Sequence, residues 1–257
     1  MNNDHNHKTV IEVRRLTKSF KGHKVLDGID LEVRKGETLV IIGRSGCGKS
    51  VLLKHIIGLL WPDEGDVAVE GHLLSRLKNS ELYRMRLRFG MLFQNSALFD
   101  SMTVAENVGL ALMEHTRKSD GEMAEIVAHK LELVGMQGTE RMMPADLSGG
   151  MKKRVSLARA IAFDPAYILF DEPTTGLDPI TADAINDLIV ELGDRLAVTS
   201  IAVTHDMKSA YKIADRIVML HDGKIISSGT AEEIQNSDDP IIHQFINGLA
   251  SGPLRAI

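Results

Sequence analysis

The sequence predicts an α/β fold with a helical subdomain inserted in it. Three short apolar runs, at Thr38–Ile42, Tyr167–Phe170 and Ser200–Val203, have the length and the β-branched content of buried strands. From about residue 96 to residue 163 the pattern changes. Apolar residues recur there at helical spacing over Met123–Val134, and Gly135 and Gly138 then interrupt this periodicity. Strands that enclose such a stretch indicate a helical subdomain inserted in an α/β core.

Composition restricts the class of protein. With 257 residues and 44% hydrophobic content, the chain is large enough for one sizeable domain. Its net charge of −5, without a basic face, argues against nucleic acid as a partner. No apolar run approaches the roughly 18 residues that cross a bilayer, and the polar start is not a signal peptide. A single cysteine, Cys47, is typical of a reducing compartment.

Local signals place the first elements of the core. Val10–Val13 and Leu26–Val33 are predicted as strands, with turn residues at Val25–Gly28 and Arg34–Glu37. A helix is predicted over Lys49–Leu60, where Trp61 and Pro62 stop it.

Further signals define helix starts and a hairpin. Thr103 with Glu106, and Thr230 with Glu233, have the spacing of capping boxes, and Ser148 is predicted to cap a third helix. Two strands joined at His221–Gly223 are predicted to form a hairpin with an Asp-Gly turn. We therefore expect a flexible N-terminus at 1–8, one domain at 9–240 with its helical subdomain at about 96–163, and a C-terminal helix and tail at 241–257.

The segment Gly43-Arg44-Ser45-Gly46-Cys47-Gly48-Lys49-Ser50 predicts a phosphate-binding loop. Its glycines let backbone N–H groups point at phosphate oxygens, and the helix that follows adds a partial positive charge. Lys49 is expected to reach the β- and γ-phosphates, and Ser50 to bind Mg²⁺. An ordinary glycine turn is the alternative, which the flanking strand and helix disfavour. Cys47 is interpreted as merely a small residue.

A second segment, Leu147-Ser148-Gly149-Gly150-Met151, follows about a hundred residues later. At a helix start, its backbone N–H groups and the Ser148 hydroxyl offer a further site for a γ-phosphate. One chain cannot easily bring both segments to one nucleotide, whereas two chains arranged head to tail can. The pair therefore predicts a homodimer that ATP closes and hydrolysis opens. The basic run Lys152–Arg154 is interpreted as a solvated helix face.

Two carboxylates end the strand run at Tyr167–Phe170. Asp171 is expected to hold Mg²⁺, and Glu172 is assigned as the general base that polarises an attacking water. Taken alone, Asp-Glu after a strand is an ordinary strand end, but the upstream phosphate loop favours the catalytic interpretation.

Three more residues are candidates, each with a plainer alternative. His205 follows a buried strand and is predicted to donate to the γ-phosphate, although a lone histidine is more often structural. Gln94 also ends a strand and is predicted to bind Mg²⁺ or the attacking water, or else to be a polar loop residue. Phe20 is predicted to stack on adenine, or else to be a core aromatic.

In this order the motifs resemble the nucleotide-binding domain of ATP-binding cassette (ABC) transporters, over roughly residues 9–235. The resemblance implies a P-loop NTPase core with a RecA-like mixed sheet, an antiparallel β subdomain and an inserted α-helical subdomain. It also implies ATP and Mg²⁺ as ligands. The resemblance assigns Walker A to Gly43–Ser50, the Q-loop to Gln94, the signature to Leu147–Met151, Walker B to Tyr167–Glu172, the D-loop to Gly176–Asp178, the switch histidine to His205 and the adenine-stacking aromatic to Phe20. Met151 stands where the signature commonly has Gln, and a Met side chain cannot make the hydrogen bonds of Gln.

Within this family the chain looks most similar to the ATPase subunit of Mla-type phospholipid transporters of bacterial envelopes. The likeness lies in Gly43–Leu60, in Leu92–Phe99, in the Gly-Gly-Met signature and in the tail around Gln244–Gly248. It implies an integral membrane permease, an MCE-domain lipid-binding protein and a small STAS-domain protein as partners. The implied location is the cytoplasmic face of the inner membrane, reached through the permease.

Three other functions remain open. The first is transport of another solute, such as amino acids. The second is a soluble ABC protein that acts on DNA or ribosomes, which would be expected to carry a long coiled-coil insertion, a second cassette or a basic face. The third is a P-loop kinase or GTPase, which would need neither the Ser-Gly-Gly segment nor His205.

Overall fold

The computed structural model describes residues 8–254, so most of the predicted flexible N-terminus at 1–8 and the last three residues lie outside it. The chain falls into two compact units. The first unit comprises Met1–Tyr83 and Val203–Ile257, as far as these are described, and the second comprises Arg84–Ala202.

Ten strands account for the β structure of residues 8–254. They are β1 (Thr9–Phe20), β2 (His23–Arg34), β3 (Thr38–Ile42), β4 (Glu64–Val69), β5 (His72–Leu73), β6 (Phe89–Leu92), β7 (Tyr167–Asp171), β8 (Thr199–Thr204), β9 (Arg216–His221) and β10 (Lys224–Gly229).

Nine α-helices are present in the same residues. They are α1 (Lys49–Ile56), α2 (Asn79–Arg86), α3 (Val104–His115), α4 (Asp120–Leu133), α5 (Gly149–Ile161), α6 (Pro179–Leu196), α7 (Met207–Ile213), α8 (Ala231–Gln235) and α9 (Pro240–Ile246). No helix of the described chain combines the length and the apolar character that a bilayer crossing requires.

The first unit contains an antiparallel sheet in the order β2-β1-β4-β5. The turn predicted at Val25–Gly28 is wrong, because this segment lies inside β2. Opposite Leu16 and Lys18 of β1, β2 places Ile29 and Leu26, so β2 carries one extra residue there. A bulge of this kind accommodates a glycine with positive φ inside a strand, and this explains why Asp-Gly does not mark a turn here.

The same unit also holds β3 paired parallel to β9, with β10 antiparallel on the other side of β9. The predicted hairpin is confirmed. Asp222 and Gly223 both have positive φ, at 44° and 74°, as expected for a two-residue turn of the type that matches strand twist. The Gly223 carbonyl accepts a hydrogen bond from the Asp27 N–H at 2.8 Å, so the hairpin also contacts β2.

In the second unit β6 and β7 are parallel, and β8 begins beside β7 before the chain continues into the first unit. Helices α3, α4 and α5 pack against one another. The predicted capping box of Thr103 and Glu106 at the start of α3 is confirmed. A second box, formed by Ser119 and Glu122 at the start of α4, was not predicted although its residues follow the same spacing rule.

Helix α1 ends at Ile56, four residues before the predicted end at Leu60. Gly58 has a φ of 71°, and the N–H groups of Leu59 and Leu60 both donate to the Lys54 carbonyl. A left-handed glycine just beyond the last turn is the usual way for a helix to stop, so Gly58 and not Trp61 sets the end.

The C-terminal helix predicted from residue 241 is confirmed as α9. Gln244 in this helix is buried, and its amide donates to the carbonyls of Leu249 and Leu254. Its Oε1 accepts from the Leu254 N–H at 2.6 Å. One side chain therefore folds the described tail back on α9.

His55 is a buried titratable group of α1, with only 1% of its surface exposed. Its Nδ1 lies 2.8 Å from the Val51 carbonyl oxygen, one turn earlier. Burial lowers the pKa of His55 below 6.5, since it disfavours the imidazolium.

We expect this burial to make folding pH-dependent. The unfolded chain binds a proton on His55 that the folded chain does not, so the stabilising contribution is complete above about pH 6.5 and decreases as the pH falls below that value. The free energy of unfolding, measured by urea denaturation between pH 5 and 8, should therefore fall less steeply on acidification in His55→Gln than in the parent. His72→Gln, at an exposed site of β5, is the control and should match the parent. Equal slopes in all three proteins would contradict this role of His55.

Candidate functional site

The phosphate-binding loop predicted at Gly43–Ser50 joins β3 to α1. Gly43, Gly46 and Gly48 have φ values of 153°, 81° and 106°, which ordinary side chains rarely adopt. The buried Lys49 turns back, and its Nζ donates to the carbonyls of Gly43 at 2.8 Å and Arg44 at 3.1 Å. The ammonium therefore lies against the loop itself and not in solvent.

Residues of β9 and β2 also pack closely against the loop. A Cβ atom on Gly43 would overlap the Leu220 carbonyl oxygen at the end of β9, and one on Gly48 would lie 2.9 Å from Leu26 Cδ2. Gly48 is the N-cap of α1 and has no side chain to accept from the first N–H groups of the helix. A helix start without a side-chain cap leaves N–H groups that can bind an anion, and this agrees with the phosphate-binding loop predicted here.

Cys47 lies in this loop and is partly buried. Burial raises the pKa of its thiol, mainly because an apolar environment disfavours the thiolate. A neutral thiol agrees with the interpretation of Cys47 as a small residue.

Two further candidates belong to the same unit. Phe20, the last residue of β1, is 42% exposed, and the Lys18 ammonium lies 5.6 Å from the centroid of its ring. The core interpretation of Phe20 is therefore wrong, whereas adenine stacking stays a prediction. His205 follows β8 as predicted and is exposed, and Asp206 caps α7 by accepting from the N–H groups of Lys208 and Ser209.

The acidic pair lies in the second unit. Asp171 is the last residue of β7 and Glu172 follows it, and both are only 8% exposed. Glu172 has a φ of 50°, a left-handed conformation that costs a residue with a side chain about 1–3 kcal/mol. Its Oε2 accepts from the Thr175 hydroxyl at 3.2 Å. The candidate general base is thus held in a strained backbone position by its surroundings.

The burial of Lys153 shows that one prediction was wrong. The run Lys152–Arg154 was interpreted as a solvated face, but Lys153 is 3% exposed. Its Nζ donates to the carbonyl oxygens of Gln94 at 2.5 Å, Glu172 at 3.4 Å and Phe93 at 3.5 Å. Burial lowers the pKa of Lys153 to about 8, although the charges of Asp171 and Glu172 oppose the shift.

A sequence signal for this burial exists. Position 153 lies three, four and seven residues before Ser156, Leu157 and Ala160, which are buried on the same face of α5. Helical periodicity therefore places Lys153 on the inner face of α5. At this position the helical spacing is a better predictor of burial than the charge of the side chain.

The segment that follows Gln94 is fixed by the same helix. Ser96 and Ala97 have positive φ values of 60° and 49°. The Ser96 carbonyl accepts from Ser156 Oγ at 3.0 Å and from Arg159 Nη2 at 2.7 Å, and the Ala97 carbonyl accepts from Arg159 Nη1 at 2.6 Å. The Gln94 side chain itself is exposed, so it is available for a ligand on a well-anchored backbone.

The signature segment opens α5 as predicted. Ser148 is the N-cap, and its Oγ accepts from the Met151 N–H at 3.3 Å. A Cβ atom on Gly149 would lie 3.4 Å from Leu177 Cδ2, and one on Gly150 only 2.6 Å from Thr181 Cγ2. A side chain at position 150 would therefore force α5 away from α6.

Asp178 has a structural function that the sequence analysis did not assign. It is the N-cap of α6, and its Oδ1 accepts from the N–H groups of Ile180 and Thr181. The hydroxyl of Thr181 donates to its Oδ2 at 2.5 Å, and this bond lowers the pKa of Asp178.

The predicted residues thus form two groups, each within one unit. The first unit holds Phe20, Gly43–Ser50 and His205. The second unit holds Gln94, Ser148–Met151, Asp171, Glu172 and Asp178. Within the second unit the structure joins the Gln94 backbone to that of Glu172 through Lys153, and the signature to Asp178 through Thr181.

Comparison with known proteins identifies the class. The family model described as ABC transporter matches residues 26–175. The chain belongs to this family, as an ATP-binding subunit that hydrolyses ATP.

Particular relatives extend over nearly the whole chain. The intermembrane phospholipid transport system ATP-binding protein MlaF of Haemophilus influenzae is 44% identical over 96% of this chain and 93% of its own length. The probable ribonucleotide transport ATP-binding protein mkl of Mycobacterium leprae is 41% identical over 95% of this chain and 70% of its own. Among solved structures, the dimeric post-hydrolysis state of the ATP-binding cassette MJ0796 with ADP and Pi has a TM-score of 0.79 and 32% identity, and covers 86% of this chain and 98% of that one.

The close contact between Gly43 and the Leu220 carbonyl leads to a testable prediction. Gly43→Ala adds a methyl group where the Leu220 carbonyl already lies, so we expect a clear loss of stability and of ATP affinity. Gly46→Ala is the control for stability, because it shares the positive-φ strain, about 1–2 kcal/mol, but its Cβ meets no protein atom within 4 Å. Thermal unfolding and binding of a fluorescent ATP analogue measure both effects. Equal losses in the two variants would show that crowding at Gly43 is unimportant.

Proposed function

We propose that this chain is the ATPase subunit of an Mla-type phospholipid transporter and that it works as a homodimer. The observation that carries the proposal is the likeness, over nearly all of both chains, to a protein named for intermembrane phospholipid transport. The dimeric cassette among the solved structures supports the homodimer. The nucleotide-binding domain would comprise residues 9–240, with its helical subdomain at about 96–163.

In this proposal the loop Gly43–Ser50 binds the phosphates of ATP. Lys49 already directs its ammonium along the loop, and it would exchange its carbonyl partners for the β- and γ-phosphates. Phe20 would stack on adenine, since its ring is partly exposed.

Mg²⁺ would be held by the oxygens of Ser50, Asp171 and Gln94 together with the phosphates. Carboxylate, hydroxyl and amide oxygens are ligands that suit this ion. No group of three or more His, Cys, Asp or Glu residues in the described chain could hold a metal. The phosphates of the nucleotide would supply the rest of the coordination. The ion would neutralise charge that develops on the phosphates.

Hydrolysis would depend on Glu172 as the general base for water and on His205 as a donor to the γ-phosphate. Ser148, Gly149 and Gly150 of a second copy would close over that phosphate with backbone N–H groups and a hydroxyl. Met151 would add no hydrogen bond there, and Asp178 would contribute as the D-loop residue of the dimer.

Transport requires a membrane partner. We propose an integral permease as the docking partner, with an MCE-domain lipid-binding protein and a small STAS-domain protein in the same complex and no nucleic acid. The chain would be peripheral, on the cytoplasmic face of the bacterial inner membrane.

A different cargo is the second candidate. The likeness to a relative named for probable ribonucleotide transport is nearly as extensive along this chain, at 41% identity. The ATPase chemistry would be the same for either cargo, so only the permease and its associated proteins distinguish the two.

The base assignment predicts the behaviour of Glu172→Gln. This variant should bind ATP with unchanged affinity, lose roughly 10²-fold or more in kcat and accumulate as an ATP-bound dimer. Phosphate release and size-exclusion chromatography with ATP measure these effects. The control is Lys49→Ala, which should fail to bind ATP and stay monomeric. Hydrolysis by Glu172→Gln at the parent rate would exclude Glu172 as the base.

The cargo is tested by purification from the native host. Glu172→Gln with an affinity tag would be expressed there, membranes would be solubilised with ATP present, and co-purifying proteins identified by mass spectrometry. We expect a permease with MCE-domain and STAS-domain proteins. A solute permease alone would favour the second candidate, and recovery only from the soluble fraction would contradict the transporter function.

A further inference from the structure

Helix α5 holds the backbone of the Gln94 segment through side chains on one face. Lys153, Ser156 and Arg159 donate to the carbonyls of Phe93, Gln94, Ser96 and Ala97. We call these three side chains the carbonyl clamp. The segment is irregular and has no strand ladder to pair its carbonyls, so these side chains supply donors to it.

Lys153 differs from the other two members in its reach. Its ammonium bonds to the Gln94 carbonyl at 2.5 Å and to the Glu172 carbonyl at 3.4 Å. These bonds join two segments that are far apart in sequence, and Lys153 itself lies in the first turns of the helix that Ser148 caps. One side chain therefore connects the Gln94 backbone, the Glu172 backbone and the signature helix.

We infer that Lys153 is a positioning residue for ATP hydrolysis, which fixes Gln94 and Glu172 relative to each other and to the signature helix. This inference rests on the proposed roles of Gln94 and Glu172. The three hydrogen-bond partners of Lys153 are backbone carbonyls, so the inference assigns it no direct contact with the nucleotide. Its effect passes through the backbones that carry the two side chains.

The chemistry of lysine suits this position. An ammonium has three donors on a flexible stem and can satisfy three carbonyls that do not share a plane. A buried charge is costly unless it is paired, and here the carboxylates of Asp171 and Glu172 supply opposite charge. The bond to the Glu172 carbonyl also stabilises a residue with a φ of 50°.

A second buried lysine in the same unit provides the matched control. Lys130 of α4 is 5% exposed, and its Nζ bonds to the carboxylate of Asp164 at 2.5 Å. It contacts none of the three carbonyls that Lys153 binds. Replacing Lys130 removes a buried ammonium of the same kind without touching the Gln94 or Glu172 segments.

The test compares Lys153→Met, Lys153→Gln and Lys130→Met in the full chain. We expect Lys153→Met to lower kcat by roughly tenfold or more, because small displacements of catalytic groups have effects of this size. The Kd for ATP should stay within about threefold of the parent. Lys153→Gln, which keeps an uncharged amide NH₂ as a donor group on a shorter stem, should fall between the parent and Lys153→Met in kcat. Lys130→Met should keep the parent kcat, and melting temperatures separate these effects from unfolding.

A double-mutant cycle with Gln94→Ala tests how Lys153 acts. If Lys153 works through Gln94, Lys153→Met should cost at least about threefold less in kcat when Gln94 is already absent. Independent, multiplicative losses would overturn the inference, as would a parent kcat in folded Lys153→Met or an equal loss in Lys130→Met. If Lys153→Met does not fold, the same cycle is measured with Lys153→Gln.

The outcomes also separate this inference from the function on which it rests. If Gln94→Ala and Glu172→Gln keep the parent kcat, the proposed roles of those residues fail. If both lower kcat and Lys153→Met does not, only the positioning role of Lys153 fails.

Discussion

Buried carbonyls in loops need hydrogen-bond donors, and in both units a lysine ammonium supplies them. In the first unit Lys49 bonds to the carbonyls of its own loop, at Gly43 and Arg44. In the second unit Lys153 bonds to the carbonyls of Gln94 and Glu172. A loop that must expose N–H groups or side chains to a ligand turns its carbonyls inward, and inward carbonyls without partners would cost about 1–3 kcal/mol each. The shape of the loops that carry the candidate residues therefore depends on these two ammonium groups.

Close backbone approach is the second requirement of this architecture. Gly43 lies against the end of β9, and Gly150 lies against Thr181 at the start of α6. Both glycines belong to motifs defined by phosphate binding. The absence of a side chain at both positions is required by packing within the chain.

Much of the fold could be predicted because its signals are local. The strand β3, the phosphate loop and the capping boxes each depend on a few adjacent residues, and the structure places them where the sequence indicates. The turn at Val25–Gly28 was wrong because a bulge and a turn use the same residue types, and only pairing with β1 separates them.

The candidate site was less predictable. The burial of Lys153 depends on carbonyls that lie 59 and 19 residues away in sequence, at Gln94 and Glu172. A run of basic residues is usually interpreted as a solvated surface. Only the helical period of α5 predicts that position 153 lies on the buried face. Asp178 was expected from the family motif, but its capping bonds follow from where α6 begins.

The contact between Gly150 and Thr181 has a mechanical consequence. Because a methyl group of Thr181 occupies the space where a Cβ would be, and the same residue bonds to Asp178, the start of α5 cannot approach α6 further without pushing it. Thr181 therefore couples the two helix starts sterically, so that a displacement of the signature glycines towards α6 also displaces the residue that bonds to Asp178.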